Sequence, residues 1–277
     1  MPKSSLWGRL AARLKGHILR LDQLLHRRFG LVVCRLNGTY PSLLPSHIPP
    51  FTPLDPNGVN VVSDEAFQAS CREIFDRTLL DVPRLANLWT FCRMSRGEGH
   101  IIEVGSYRGG GALHLSNSSP HRKVIVCDSF CGFRSLDEKL DNLFDMSMFK
   151  ATSRADIEAL FRGRGRDYQV IEGFFPASCR GLELGSFVFA HVDVDVYQAT
   201  VETLEYLRPR MTPGAFIVLD DFRRSANGVD MAVEEFVQKY DDWMFLPLFP
   251  GQAVLMNRSH FDRSPSLRRG EDAVAGP

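Results

Sequence analysis

Between residues 100 and 219 the chain repeats one pattern. Short apolar runs rich in valine, isoleucine and phenylalanine alternate with polar segments of helical period. The runs at 100–104, 124–127, 169–171, 187–192 and 215–219 have the length of strands buried on both faces. Their alternation with helices predicts a parallel sheet joined by crossover connections. Two further runs, 243–248 and 252–256, flank Pro250-Gly251 and predict a closing antiparallel hairpin. Upstream, residues 63–95 read as helical, with Ser63 as N-cap, Asp64 and Glu65 in the first turn, and Pro83 dividing the segment into two helices. The expected class is α/β: a mostly parallel sheet that ends in an antiparallel hairpin and follows an N-terminal helical extension.

The ends of the chain are different. Over residues 4–28, Trp7, Leu10, Leu14, Ile18, Leu21 and Leu25 recur at helical spacing, while Arg9, Arg13, Lys15, Arg20, Arg27 and Arg28 face a single acid, Asp22. Such a helix packs on its own domain or on a second copy of the chain, or else lies on a membrane surface; packing is the commoner use. Pro41, Pro45, Pro49, Pro50, Pro53 and Pro56 then mark a linker. The expected organisation is a basic helix and linker over 1–62, a catalytic domain over 63–258, and a disordered tail over 259–277.

Composition narrows the function. Hydrophobic residues make up 44% and charged residues 24%, as in soluble globular proteins. Lysine plus arginine equals aspartate plus glutamate at 33 each, so no global field favours nucleic acid as a partner. Six cysteines occur without a C-x-x-C pair, which speaks against zinc and dithiol chemistry. They read as small buried hydrophobes in a reducing, cytoplasmic setting. No run approaches the roughly 20 apolar residues of a membrane span, and charges interrupt the N-terminus where a signal peptide would be apolar.

Chemistry concentrates where the predicted strands end, the edge at which open α/β sheets bind ligands. After the first strand, Glu103-Val104-Gly105-Ser106-Tyr107-Arg108-Gly109-Gly110-Gly111 opens a helix. Its glycines allow a sharp turn and close backbone approach to a ligand, but the spacing is not that of dinucleotide enzymes. Glu103 near the end of a core strand needs a partner, such as a ligand's cationic amino group. Asp128, ending the second strand before Ser129, could accept hydrogen bonds from a ribose diol. After the fourth and fifth strands come Asp193, Asp195, Asp220 and Asp221. Clustered carboxylates repel, at about 4 kcal/mol for a pair 4 Å apart at an effective dielectric of 20. They therefore keep a proton or bind a hard cation, magnesium first. Asp193, Asp220 and Asp221 are the expected metal set. His191, inside a buried strand, reads as a satisfied core histidine rather than a base.

These motifs resemble the macrocin O-methyltransferase family. The resemblance rests on Glu103 to Gly110, Asp128-Ser129-Phe130 with Gly132, Glu172-Gly173-Phe174-Phe175-Pro176, Asp193 to Thr200, Pro213-Gly214-Ala215 and Asp220-Asp221-Phe222. It implies a Rossmann-like class I methyltransferase sheet, S-adenosylmethionine as cofactor, Mg2+ or another hard divalent cation, and a small-molecule hydroxyl as acceptor, a sugar or glycoside in particular. By similarity Glu103, Gly105, Ser106, Tyr107 and Gly109 contact the cofactor, Asp128 and Ser129 hold its ribose side, and Gly173 and Phe174 border the adenine. Asp193 would be both metal ligand and catalytic residue. The chain departs from the family at Val194, often glycine, at Ala199, often serine, and at Phe222, often tyrosine. Three alternatives stay open on the residues alone: an iron-dependent hydroxylase relative, a nicotinamide oxidoreductase, and a non-enzymatic module docked through the basic helix. The missing dinucleotide fingerprint weighs against the second, and the aspartate cluster against the third. The apolar segment 130–150, with Phe133, Leu136, Leu143, Phe144, Met146 and Phe149, is either an acceptor lid or a packed face.

Overall fold

The computed structural model describes residues 31–33, 43–45, 61, 64–146, 148–150, 152–223 and 228–257. The chain divides into two compact units, Met1–Asp64 and Glu65–Pro277. In the first, β1 (Leu31–Val33) pairs antiparallel with β2 (Leu43–Pro45), Val32 opposite Leu44. These strands were not expected. The β-branched Val32 and Val33 favour extended backbone, and Pro45 at the strand's end has no donor to lose. The predicted helix over 4–28, the proposed cap Ser63 and the tail beyond 258 lie outside the described residues.

The second unit begins with α1 (Glu65–Ile74) and α2 (Val82–Met94). Pro83 stands in the first turn of α2, where its missing N–H costs nothing. Asp81 caps that helix by accepting from the Arg84 amide at 3.1 Å. Next come β3 (His100–Val104), α3 (Gly110–Ser118), β4 (Val124–Asp128), α4 (Arg154–Phe161), β5 (Tyr168–Glu172), β6 (Phe187–Val192), α5 (Tyr197–Leu207), β7 (Met211–Leu219), α6 (Gly228–Lys239), β8 (Trp243–Leu248) and β9 (Gln252–Asn257). The seven strands from β3 onward form one sheet in the order β5-β4-β3-β6-β7-β9-β8. All neighbours are parallel except β7 with β9 and β9 with β8. The expected α/β class and closing hairpin are therefore present. No helix among the described residues is long and apolar enough to cross a membrane.

Alternate strand residues face opposite layers. Ile102, Val104, Ala190, Val192, Ile217 and Leu219 join Leu204, Leu207, Val229, Val233 and Phe236 of α5 and α6 in one core. On the other face Phe91 of α2 meets Phe216 of β7 at 5.1 Å. That face also carries Glu103 and His191, which are cross-strand partners on β3 and β6. Three of the five described cysteines, Cys92, Cys127 and Cys179, are buried, and all five are free thiols. These three match their reading as small buried hydrophobes, while Cys71 is half-buried and Cys131 exposed.

Candidate active site

The site follows from topology. β3, β4, β5, β6 and β7 run parallel, so the loops after them meet at one sheet edge. Backbone strain collects there as well. Among the described residues the six non-glycine positions with positive φ are Tyr107, Phe130, Phe149, Asp195, Asp221 and Arg223, all in loops that leave this edge. Each such conformation costs of order 1 kcal/mol and persists only where the surroundings impose it.

The loop after β3 turns at Gly105, φ +85°, where a Cβ would stand 2.0 Å from the Asp193 carbonyl oxygen. Only glycine lets the two loops approach so closely. Gly109 precedes α3 in the left-handed conformation, φ 78°. Glu103 is 1% exposed, and its two oxygens are both engaged. One shares a hydrogen bond with His191 Nδ1 at 2.9 Å, and the other accepts from Ser106 Oγ at 2.5 Å. The partner demanded by this buried acid is therefore His191, the histidine read from the sequence as a satisfied core residue. Burial opposes a charge on His191, but its hydrogen bond to Glu103 and the charges of Glu103, Asp193 and Asp220 outweigh it and raise its pKa.

Asp128 ends β4 and is bound by the adjacent backbone. One oxygen accepts from the Ser106 and Tyr107 amides at 2.8 and 3.0 Å, the other from the Phe130 amide at 2.8 Å. Three of about four acceptor positions on the carboxylate are used, which leaves room for one further donor rather than the two of a diol. Burial raises its pKa against these three bonds. Ser129 Oγ donates to the Gly132 carbonyl at 2.7 Å and shapes the turn behind it. Gly173 and Phe174 follow β5, and the Gly173 amide donates to the Asp128 carbonyl at 2.9 Å.

The acids converge after β6 and β7. Asp193, Asp195 and Asp221 each offer a carboxylate oxygen within 4.8 Å of the others. Asp220, also expected in the metal set, is buried in an ion pair with Arg84 of α2. Arg84 is 2% exposed and was missed at the sequence level. It also lies 3.8 Å from Asp221 and 3.5 Å from Asp81, and donates to the Leu79 carbonyl at 3.0 Å. Burial works against its charge, yet Asp220, Asp81, Asp193 and Asp221 together raise its pKa. Burial, then repulsion from Asp220, pushes Asp193 well above the carboxylate range. Burial, Asp193 and a hydrogen bond with Asp221 do the same for Asp195. Repulsion of this kind favours either a proton or a bound cation in the cluster.

The segment after β4 closes over this edge. Phe133 packs edge-on against Phe144 and Phe149 at 5.4 and 5.6 Å, and Phe149 reaches Tyr107 at 6.1 Å. Asp141 is buried, and one of its oxygens accepts from the Tyr197 amide at 3.0 Å. A Cβ on Gly228 would lie 2.3 Å from the same oxygen. Leu143 and Met146 remain exposed.

Comparison with known proteins agrees with this layout. The sequence model of the Macrocin-O-methyltransferase (TylF) family matches residues 55–242, more than half of the chain. The chain belongs to the macrocin O-methyltransferase family. It is 28% identical over 163 residues to an 8-demethyl-8-(2,3-dimethoxy-alpha-L-rhamnosyl)-tetracenomycin-C 4'-O-methyltransferase of Streptomyces olivaceus, covering 52% of this chain and 62% of that relative's length. A mycinamicin III 3''-O-methyltransferase of Micromonospora griseorubida is 26% identical over 187 residues, 58% of this chain and 74% of the relative. Among solved structures, the O-methyltransferase NovP superposes with a TM-score of 0.57 at 22% identity, covering 65% of this chain and 82% of NovP. The calicheamicin methyltransferase CalS11 gives 0.51 at 17% identity over 72% and 94%. These likenesses establish the class I methyltransferase sheet. The family departures also find their places: Phe222 is buried 5.4 Å from Phe245, and Val194 packs against the α5–α6 core.

Proposed function

We propose that this chain is an S-adenosylmethionine-dependent O-methyltransferase acting on a hydroxyl of a glycosylated small molecule, assisted by a divalent cation. The observation that carries the proposal is the contact between two loops: the glycine turn after β3 lies directly on the Asp193 backbone. A cofactor held by the first loop is thereby placed beside the acids of the second. The relatives named above methylate a rhamnosyl tetracenomycin and mycinamicin III, and they motivate a glycoside acceptor here.

In this reading Gly105, Ser106, Tyr107 and Gly109 line the cofactor with Asp128, Ser129, Gly173 and Phe174, and Glu103 shapes the loop from below through Ser106. The donor set tests the cation. Asp193, Asp195 and Asp221 present oxygen only, which suits Mg2+ or a similar hard ion and not a soft one. When bound, S-adenosylmethionine supplies a methyl already activated on sulfonium, and the cation supplies Lewis-acid assistance to the acceptor hydroxyl. The protein's part is to bring that hydroxyl into line, to exclude water beneath the 130–150 segment, and to take its proton. Asp193 is the proposed base, because it stands in the acid set and its backbone touches the turn that would hold the cofactor. The proposed ligand set is Asp193, Asp195 and Asp221, with Asp220 engaged by Arg84 beside it.

Calorimetry with S-adenosylmethionine and with a nicotinamide dinucleotide tests the cofactor, and binding of only the second refutes the proposal. Labelled-methyl transfer to a panel of deoxysugar glycosides, with and without chelator, then tests the chemistry. Asp193→Asn is expected to abolish turnover while S-adenosylhomocysteine still binds. Full activity in that variant, or after thorough chelation, removes the mechanism.

A further inference from the structure

Among the described residues Arg84 is the one buried arginine or lysine, and it does not come from the loops that carry the acids. It stands in the first turn of α2, 136 positions from Asp220. Its guanidinium is held from two sides. Asp81, the cap of its own helix, and the Leu79 carbonyl fix one side. Asp220, buried in a charge-assisted pair, and Asp221 occupy the other. The side chains of Arg84 and Asp220 are each 2% exposed, so neither can leave without breaking a buried ion pair. Asp220 and Asp221 are consecutive, and Asp221 keeps a left-handed backbone, φ 59°, while offering an oxygen to the acid set.

Resting on the metal-assisted reading above, we propose that Arg84 is a positioning residue: by clamping Asp220 it fixes the turn that aims Asp221 at the cation. The planar fork of arginine suits this task. It engages a carboxylate and a carbonyl at fixed angles, which the point charge of lysine does not do. The acids come from the loops after β6 and β7, and the clamp on them from α2. Residues that orient ligands in this way typically alter metal affinity by about 10- to 100-fold when replaced.

The test uses the full chain, stripped of metal, with free Mn2+ counted by electron paramagnetic resonance during titration and S-adenosylhomocysteine binding followed by calorimetry. Arg84→Met is expected to weaken Mn2+ by about 10- to 100-fold with S-adenosylhomocysteine affinity unchanged, and Arg84→Lys to fall between. A purely structural role would lower both affinities together. Mn2+ binding in Arg84→Met as tight as in the unmodified chain, or tighter, overturns the proposal. If that variant does not fold, Arg84→Lys and Asp220→Asn decide: both must bind Mn2+ more weakly than the parent, and parental affinity in both overturns it. An unmodified chain that binds S-adenosylhomocysteine but ignores Mn2+ defeats the metal reading and this inference together. Binding by the parent with unshifted variants defeats the inference alone.

Discussion

At Gly105 one missing carbon decides how near the cofactor loop can come to the acids. An added methyl would meet the Asp193 carbonyl in a backbone conformation that side chains resist. Gly105→Ala is therefore expected to weaken S-adenosylhomocysteine binding by about tenfold or more, a shift of some 1.4 kcal/mol. Gly163→Ala, also at positive φ but with nothing within 4 Å, is the control and should bind normally. Calorimetry on the two variants checks both. Much of the site was legible at this scale: Glu103, Asp128, Asp193 and Asp221 all stand at the ligand edge. What could not be read was who pairs with whom. Asp220 and Asp221 look alike in sequence, and only the fold shows that one belongs to Arg84. A signal for Arg84 did exist, since it sits on the inward side of a helix among Leu85, Leu88 and Trp89, where an unpaired cation would be intolerable. Its partner was beyond reach, because that contact spans most of the domain.

Elements, rather than residues, carry the segment between β4 and α4. Its ring contacts join it to the loop after β3, while Asp141 ties it to the start of α5 and packs against the start of α6. These two helices follow the acid-bearing loops. The aromatic spacing left open whether the segment covers an acceptor or packs as a face, and the structure shows one stretch with both buried and exposed apolar residues. Asp141→Ala removes a buried acceptor and leaves the Tyr197 amide unmet. The expected result is faster amide exchange across 130–150 by mass spectrometry, with the sheet unaffected. Unchanged exchange would show that the rings alone hold the segment. Strands were the most legible elements, because β-branched runs leave little choice; the turn at Pro83 was equally plain. The pair β1–β2 escaped notice because three-residue strands have no periodicity to detect.

Over the whole molecule, His114 links the three helices that cover one face of the sheet. It shares a hydrogen bond with Ser70 of α1 at 2.8 Å and another with the Leu85 carbonyl of α2 at 3.1 Å, and it packs 5.1 Å from Trp89. Burial lowers its pKa from 6.5 to about 4. The unfolded chain then takes up a proton that the folded chain refuses, so this contribution is complete above pH 6.5 and is lost as pH falls toward 4. Unfolding free energies from urea titrations should drop by up to about 1.4 kcal/mol for each pH unit lowered between these limits. His114→Gln should flatten that slope while lowering stability at neutral pH. The order of the sheet has a last consequence, for biosynthesis. β9 lies between β7 and β8, so the inner strand β7 is sealed by the last described segment to leave the ribosome. Until then the nascent chain exposes a bare row of amides and carbonyls beside apolar Phe216 to Leu219. A message truncated after Leu248 should yield sedimenting aggregates rather than a shortened soluble protein. Termination just before β9 would then be as damaging as the loss of an inner strand.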